Sequence, residues 1–273
     1  MNLQSAAALR VMTFNIRGFY NADGANAWEK RAGLNIATIG EAAPHLIGFQ
    51  EANRANLKAY RGHLPGYHYV AWPEYNNQAP YQFPAIFWDP DVLTPVASDG
   101  FWLSETPNVY SASWDTDCIR SAAWVRFRSR VTASHVLHLN THLDHISEEA
   151  RVEGTRLILR VLRNVQAGDD LVIITGDFNA AVGSAVYRLY TGAGFADAYL
   201  AANDDTPRSF TYHGFEGEHF RGSDSRPRRI DWILARRNDG SPIHVRSCEI
   251  VRTHAHPIYP SDHYPVVAEF DGG

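Results

Sequence analysis

The chain has 273 residues, of which 45% are apolar, and carries a formal net charge of −5 with a pI near 6.2. This length can bury a large core, whereas the acidic balance argues against a protein that coats nucleic acid by charge alone. Two cysteines, Cys118 and Cys248, are too few for a disulfide framework or a cysteine-rich metal site. No run approaches the roughly 18 apolar residues that span a membrane, and no basic leader opens the chain. We therefore expect one monomeric domain over residues 1–273, without a membrane anchor and located in the cytoplasm.

Three segments have helical spacing, and apolar runs typical of strands lie around them. The first helix is predicted within residues 26–42, where apolar residues recur at helical intervals. A second is predicted within residues 147–165, because Ser147 can cap its N-terminus and two glutamates follow. A third begins near Ser184 and ends at glycines. Many strands, few helices and no steady alternation of the two predict a mixed α/β sandwich.

Several apolar strand runs end in polar side chains, and strand ends gather at the rim of a sandwich. These polar residues are Asn15, Glu51, His142, Asp144, Asp177, Asn179, Asp231, Asp262 and His263. Carboxylate, carboxamide and imidazole groups, without a nucleophilic cysteine or serine motif, suit an oxygen-liganded cation such as Mg²⁺. Each residue alone also has an ordinary interpretation as a turn, a cap or a core histidine. Asp231 is the exception, because a carboxylate between Ile230 and Trp232 needs a partner.

Six segments together resemble the endonuclease/exonuclease/phosphatase superfamily, whose members include exonuclease III-type enzymes and pancreatic deoxyribonuclease. They are TFNIRG, IGFQEA, LNTHLDH, ITGDFNA, RIDWILA and YPSDHYPVVAEF, which run from residue 13 to residue 270. FWLSETP and SFTYHGFEG are similar to an uncharacterised bacterial branch. The resemblance implies a four-layer α-β-β-α sandwich of two mixed, mostly antiparallel sheets. The chain departs from the pattern at Arg17, where some repair nucleases carry an acidic metal contact, so fewer metal ligands are expected.

The resemblance implies a Mg²⁺-dependent hydrolase, in which Mn²⁺ can substitute and activated water attacks a phosphate ester in line with the bond that breaks. Glu51 is the expected main metal ligand, and Asn15 and Asp262 are expected to contribute to the same shell. The expected catalytic residues are Asn15, His142, Asp177, Asn179, Asp231 and His263. His142 and Asn179 are assigned to the phosphate oxygens, and Asp231 to the second ring nitrogen of His263. Both Asp177 and His263 remain open as the general base.

An arginine-rich stretch, FRGSDSRPRRID, precedes the Asp231 strand. Its Arg228 and Arg229, together with Arg120, are predicted to bind the substrate phosphate, with a solvated loop as the alternative. Aromatic residues in predicted loops can stack on bases or simply pack; they are Trp72, Tyr75, Tyr81, Phe83, Phe101, Trp102, Trp114, Tyr212 and Phe215.

The first functional interpretation is a nuclease or nucleotide phosphodiesterase, with single-stranded nucleic acid or a nucleotide as the substrate. The alternative is a phosphatase or phosphodiesterase acting on a small molecule or a lipid head group of sugar, inositol or sphingomyelin type. A non-catalytic binding module is a third interpretation, and the complete set of motif residues argues against it.

Overall fold

The computed structural model describes residues 8–19, 21–72, 82–130, 135–168, 170–221 and 229–271. The strands within this part of the chain are β1 (Ala8–Asn15), β2 (Leu46–Ala52), β3 (His68–Ala71), β4 (Phe83–Trp88), β5 (Leu93–Trp102), β6 (Ser121–Ser129), β7 (His135–His142), β8 (Leu171–Asp177), β9 (Ala196–Asp197), β10 (Asp231–Arg237), β11 (Val245–Ile250) and β12 (Val266–Asp271). The α-helices are α1 (Trp28–Ala42), α2 (Arg54–His63), α3 (Glu148–Val165), α4 (Ala185–Gly192) and α5 (Ala198–Ala202). No helix among the described residues is both long and apolar enough to cross a bilayer.

Two six-stranded sheets carry the fold. The strand order is β11-β12-β1-β2-β4-β3 in the first sheet and β5-β6-β7-β8-β10-β9 in the second. Each sheet contains one parallel pair, β1 with β2 and β7 with β8, and its other pairs are antiparallel. The parallel pairs are joined through α1 and α3, because parallel strands need a crossover connection. The predicted mixed, mostly antiparallel sheets are confirmed.

The side chains of β1 show how the layers are assembled. Leu9 and Val11 belong to the apolar core between the two sheets, whereas Met12 and Phe14 belong to the core beneath α1 and α2. This alternation follows from the two-residue period of a strand. A third core lies between the second sheet and helices α3 and α4. The predicted four-layer α-β-β-α sandwich is therefore confirmed.

The predicted helices are confirmed as α1, α3 and α4. Ser147 caps α3 by accepting from the Ala150 backbone N–H at 3.1 Å, and Ser184 caps α4 in the same way. Helix α2 was not predicted, since its sequence is mostly polar and it buries only a narrow apolar stripe. Its start does carry a local signal, a capping box in which Asn53 and Asn56 exchange hydrogen bonds.

A buried polar network joins the two sheets directly beneath the rim that carries the predicted site residues. Gln50 on β2 donates to Oδ1 of Asn140 on β7 at 2.7 Å, and Asn140 donates to the Phe49 carbonyl at 2.7 Å. Gly48 permits this close approach, because a Cβ there would lie 2.0 Å from Oγ1 of Thr175. These hydrogen bonds fix the position of the strand ends of one sheet relative to the other.

Candidate active site

Polar side chains from both sheets meet at one end of the sandwich and surround a cleft of about 730 Å³. The ends of the parallel strands supply most of them, because the carboxyl ends of parallel neighbours lie at the same edge. In the second sheet, His142, Asp177 and Asp231 are register partners on three adjacent strands. The predicted residues that line the cleft are Glu51, Arg120, His142, Asp177, Asn179, Asp262 and His263. Asn15 and Asp231 lie behind them, each hydrogen-bonded to residues of that set.

Glu51 is turned into the cleft by a break in the strand that carries it. The register of β2 against β4 shifts between Phe49 and Ala52, as in a β-bulge, and the φ angle of Glu51 is 62°. A non-glycine residue rarely adopts this left-handed region, and such backbone strain is common at functional sites. Oε2 of Glu51 accepts a hydrogen bond from Gln82 at 2.9 Å, which holds the carboxylate in place.

Asn15 bridges the two halves of the site. Its Nδ2 donates to Oε1 of Glu51 at 3.0 Å and to Oδ2 of Asp177 at 2.9 Å. Its Oδ1 accepts instead from the backbone N–H of Arg17 at 3.0 Å. The amide nitrogen, and not the oxygen, therefore faces the carboxylates, so this arrangement does not form the predicted metal contact of Asn15.

His263 lies between two carboxylates. Nδ1 is 2.9 Å from Oδ2 of Asp231, and Nε2 is 3.8 Å from Oδ2 of Asp177. Burial alone would lower the pKa of His263, but the charge and hydrogen bond of Asp231, with further help from Asp177 and Asp262, hold it well above its ordinary value. The geometry therefore favours an imidazolium whose Nε2–H points toward Asp177.

Asp177 is a buried carboxyl whose pKa is raised. Burial and then the charge of Asp231 raise the pKa of Asp177 to about 7, against the opposing effects of His263, Asn15 and the Asn179 backbone N–H. Oδ1 accepts from that N–H at 3.0 Å. A carboxyl that titrates near neutral pH can both take and release a proton, as a general base must.

His142 lies beside Asp177 and contacts Arg120 and Asn179. Burial, followed by the charge of Arg120, lowers the pKa of His142 well below its ordinary value, so its ring is neutral. Arg120 can only donate, and its Nη1 lies 3.1 Å from Nδ1 of His142. Nε2 of the same ring is 3.3 Å from Oδ2 of Asp177. The Asn179 amide nitrogen lies 3.0 Å from the same Nε2.

The chemistry of Glu51 and Asp262 fits a hard divalent cation. Both carboxylates line the cleft, and burial, with a further contribution from the Glu51 charge, raises the pKa of Asp262. Carboxylate oxygens without a thiolate are the ligands that Mg²⁺ prefers. Nε of Arg17 lies 3.9 Å from Oδ2 of Asp262, at the position where some relatives were expected to carry an acid. Asp177, Asp231 and His263 also bring possible ligand atoms within 4.8 Å, but Nδ1 of His263 is already engaged by Asp231.

Of the three arginines predicted to bind substrate, Arg120 lies in the cleft and Arg228 lies outside the described residues. The prediction that Arg229 binds the substrate phosphate is wrong. Its guanidinium is buried, 2.8 Å from Asp197 and 3.3 Å from Asp205, and does not line the cleft. The guanidinium is directed to these carboxylates because a buried cation needs paired anions.

Arg31 is a residue that sequence reasoning missed. It is fully buried in α1 and donates to the carbonyls of Ile16 at 2.7 Å, Gly18 at 2.9 Å and Pro260 at 3.0 Å. One guanidinium thus ties the loop after Asn15 to the segment before Asp262. In the sequence it is one more polar residue in a helix, and no local pattern marks these distant carbonyl partners.

The sequence model of the Endonuclease/Exonuclease/phosphatase family matches residues 12–263. The chain belongs to this family and is a hydrolase that acts on phosphate ester bonds. The resemblance inferred from the motif residues is therefore confirmed.

Solved structures agree with this assignment. The endonuclease/exonuclease/phosphatase from Bacteroides vulgatus is 28% identical, with a TM-score of 0.85 over 98% of this chain and 100% of that chain. The mannosyl-6-phosphatase of Bacteroides thetaiotaomicron VPI-5482 is 27% identical, with a TM-score of 0.83 over 96% of this chain and 99% of that chain. The human Nocturnin catalytic domain, at 21% identity and a TM-score of 0.73 over 97% and 93% of the two chains, shares the fold.

Proposed function

We propose that this protein is a Mg²⁺-dependent phosphatase that hydrolyses phosphate monoesters of small polar molecules such as sugars. The observation that carries the proposal is the composition of the cleft, where Arg120 and Arg151 accompany His263 and the Asp177 carboxyl. Several positive groups around one reacting centre suit a terminal phosphate, which carries more charge than a diester. The similarity to a mannosyl-6-phosphatase over 96% of the chain supports a sugar phosphate as the substrate class.

The aromatic residues that favoured a nuclease in the sequence are mostly engaged in packing. Trp72 and Trp102 contact each other with ring centroids 4.9 Å apart, and Tyr110 packs against Trp102 at the same distance. Phe101 is buried. Tyr75 and Tyr81 lie outside the described residues. Tyr212 is the member of this set that lines the cleft among the described residues.

Glu51 and Asp262 are the residues that would hold the cation. When bound, Mg²⁺ supplies positive charge at a phosphoryl oxygen and at the departing oxygen. Gln82 and Asn15 orient the Glu51 carboxylate through hydrogen bonds of 2.9 and 3.0 Å. Arg31 holds the loop that follows Asn15 and the segment that precedes Asp262, and thereby sets the distance between the two halves of the site.

Asp177 acts as the general base in this proposal. Asn15 and the Asn179 backbone N–H hold its two oxygens, so that the carboxylate is oriented before water arrives. It takes a proton from the attacking water as the new phosphorus–oxygen bond forms and the ester phosphorus–oxygen bond on the other side breaks. The departing oxygen keeps the electron pair of that bond and takes up a proton from solvent to leave as the alcohol. The His263 imidazolium, kept charged by Asp231, donates its Nε2–H to a phosphate oxygen as negative charge accumulates there. His142 and Asn179, which also line the cleft, stabilise the same charge.

A nuclease or nucleotide phosphodiesterase is the second candidate, and one further feature favours it. A side pocket of about 370 Å³ adjoins the cleft and shares Glu51 and Arg120 with it. Phe83, Tyr110 and Ile119 supply much of its apolar lining, which suits a flat base. A nucleotide would place its phosphate at the catalytic residues and its base in this pocket.

A substrate screen with added Mg²⁺ separates the two candidates. It compares mannose 6-phosphate and other sugar phosphates with nucleotides, dinucleotides, single-stranded DNA, RNA and sphingomyelin, and uses Asp177→Asn as the blank. We expect release of inorganic phosphate from a sugar phosphate and little cleavage of diesters. If only dinucleotides or nucleic acids turned over, the phosphatase proposal would be wrong, and sphingomyelin cleavage alone would indicate a lipid substrate.

A further inference from the structure

A second cluster of metal-ligating side chains lies on the loops at the edge of the cleft. Sγ of Cys118 is 3.4 Å from Oδ2 of Asp117, and that oxygen is 3.7 Å from Nε2 of His145. The three ligand atoms all lie within 4.8 Å of one another. None of these side chains has a role in the proposed hydrolysis.

The spacing of these atoms suits a tetrahedral metal ion. Zinc bonds of about 2.0–2.3 Å place neighbouring tetrahedral ligands roughly 3.3–3.6 Å apart. The Sγ–Oδ2 and Oδ2–Nε2 separations of 3.4 and 3.7 Å are close to this range. The donor set of thiol, imidazole and carboxylate is typical of Zn²⁺, whereas Mg²⁺ prefers oxygen ligands alone. The side chains of His145 and Asp117 are 46% and 56% exposed, so an ion can reach them from solvent.

The loops that carry the three residues are held together by one buried carboxylate, Asp144. Its Oδ2 accepts from the backbone N–H groups of Asp117 at 3.0 Å and Cys118 at 3.2 Å. Its Oδ1 accepts from the N–H groups of Ile146 at 2.9 Å and Ser147 at 2.7 Å, directly after His145. The backbone of Asp117 and Cys118 and the backbone directly after His145 are thus held in place before any ion binds, which lowers the entropic cost of ordering the ligands.

We propose that Asp117, Cys118 and His145 bind a thiophilic divalent cation, with Zn²⁺ as the best fit and water as the fourth ligand. This ion is separate from the cation at Glu51 and Asp262. Binding breaks the Sγ–H bond of Cys118 and forms a sulfur–metal bond, and the proton leaves to solvent. No change of oxidation state occurs.

The cluster communicates with the catalytic residues through Arg120. Its Nη1 contacts Nδ1 of His142 at 3.1 Å, and its Nη2 lies 3.5 Å from Nδ1 of His145. When Nε2 of a neutral His145 binds an ion, the ring proton lies on Nδ1, which then faces another donor. Arg120 has to move away, so occupancy by Zn²⁺ inhibits phosphate ester hydrolysis. This consequence rests on the proposed function, whereas metal binding does not.

Titration of the metal-free full-length protein with Co²⁺, monitored by absorption, tests the site without an activity assay. A thiolate ligand produces an intense near-ultraviolet charge-transfer band, which an oxygen-liganded ion at Glu51 does not. We expect this band in the wild-type protein and in Glu51→Gln, its loss in Cys118→Ser, and its displacement by Zn²⁺. In His145→Ala the apparent dissociation constant for Co²⁺ should rise by about 10-fold or more.

Cys248 provides the matched control, because it is the other cysteine of the chain and is buried on β11. Cys248→Ala should keep the band, and circular dichroism confirms that each variant is folded. Absence of the band in the wild-type protein, or its persistence in Cys118→Ser, would overturn the proposed site. Failure of the phosphatase proposal would leave these spectra unchanged, so the two proposals are tested separately.

Discussion

Oδ2 of Asp231 accepts a hydrogen bond from Nδ1 of His263 at 2.9 Å, although the two residues are 32 positions apart in the chain. Asp231 begins β10 in the second sheet, and His263 lies just before β12 of the first sheet. The bond therefore joins the two sheets at the site. It fixes the orientation of the imidazole and favours its charged form, which leaves Nε2–H available to a phosphate oxygen.

Replacement of Asp231 by Asn is expected to slow hydrolysis, because it weakens the interaction with His263. The variant loses the charge that raises the pKa of His263, so the alkaline fall in activity should move to lower pH. We expect kcat to decrease by about 10²–10³ as well, the usual effect of losing one electrostatic contribution. A pH profile of kcat checks the prediction, with Asp99→Asn on an exposed strand as the control. An unshifted alkaline limb would contradict the role of Asp231.

The pH dependence at low pH should report Asp177. Because burial and the charge of Asp231 raise its pKa to about 7, the base is protonated and inactive below that pH. Activity should therefore rise as pH increases through about 7. In Asp177→Asn this rise of activity with pH should disappear, and kcat should decrease by about 10²–10⁴-fold. Retention of full activity in Asp177→Asn would rule out Asp177 as the base.

Metal removal provides a direct test of the carboxylate pair at the cleft. Treatment with EDTA should abolish hydrolysis, and added Mg²⁺ or Mn²⁺ should restore it, because the phosphoryl charge is otherwise unneutralised. In Glu51→Gln, restoration should require far more Mg²⁺ than in the wild-type protein. Calorimetric titration with Mg²⁺ measures the same change independently of activity. Full activity in EDTA would exclude the proposed cofactor.

Arg31→Lys tests whether the buried guanidinium positions the metal ligands. A lysine cannot replace a fork that donates to the carbonyls of Ile16, Gly18 and Pro260 at once. We expect the apparent affinity for Mg²⁺ to fall by about 10-fold or more, as is usual when a group that supports metal ligands is changed.

The matched control for this variant is Arg156→Lys, on the exposed face of α3. Urea unfolding separates a positioning role from a general loss of stability. A purely structural role would lower the free energy of unfolding while leaving the Mg²⁺ requirement of the folded fraction unchanged.

His138 should make the stability of the protein sensitive to acid. Burial lowers its pKa from 6.5 to about 3, so the unfolded chain takes up a proton first as pH falls. The neutral, buried imidazole therefore contributes fully to the free energy of unfolding above about pH 6.5, and this contribution decreases as the pH falls below that value. Between about pH 7 and 5.5, the free energy of unfolding of the wild-type protein should fall by about 1 kcal/mol more than that of His138→Gln. Equal slopes in urea unfolding would contradict this prediction.

Much of the fold was predictable because its signals are local. An apolar run marks β1, an alternation of apolar residues marks β12, and Ser147 marks the start of α3 within a few residues of sequence. Helix α2 and the edge strand β5 were not predicted, because apolar residues form no clear periodic pattern in a segment that is mostly polar or exposed. The single domain and the monomeric state stay predictions.

The sequence by itself determined which polar residues stand at the ends of apolar strands, and hence the family and the hydrolysis of phosphate esters. Residues such as Asp177, Asp262 and His263 could be found there because each ends or precedes a strand whose pattern is local. Only the tertiary structure decided what those side chains and their neighbours do. Hydrogen bonds and ion pairs depend on distances between remote segments, and these direct Arg229 to Asp197, place Arg31 behind the site and keep His263 charged.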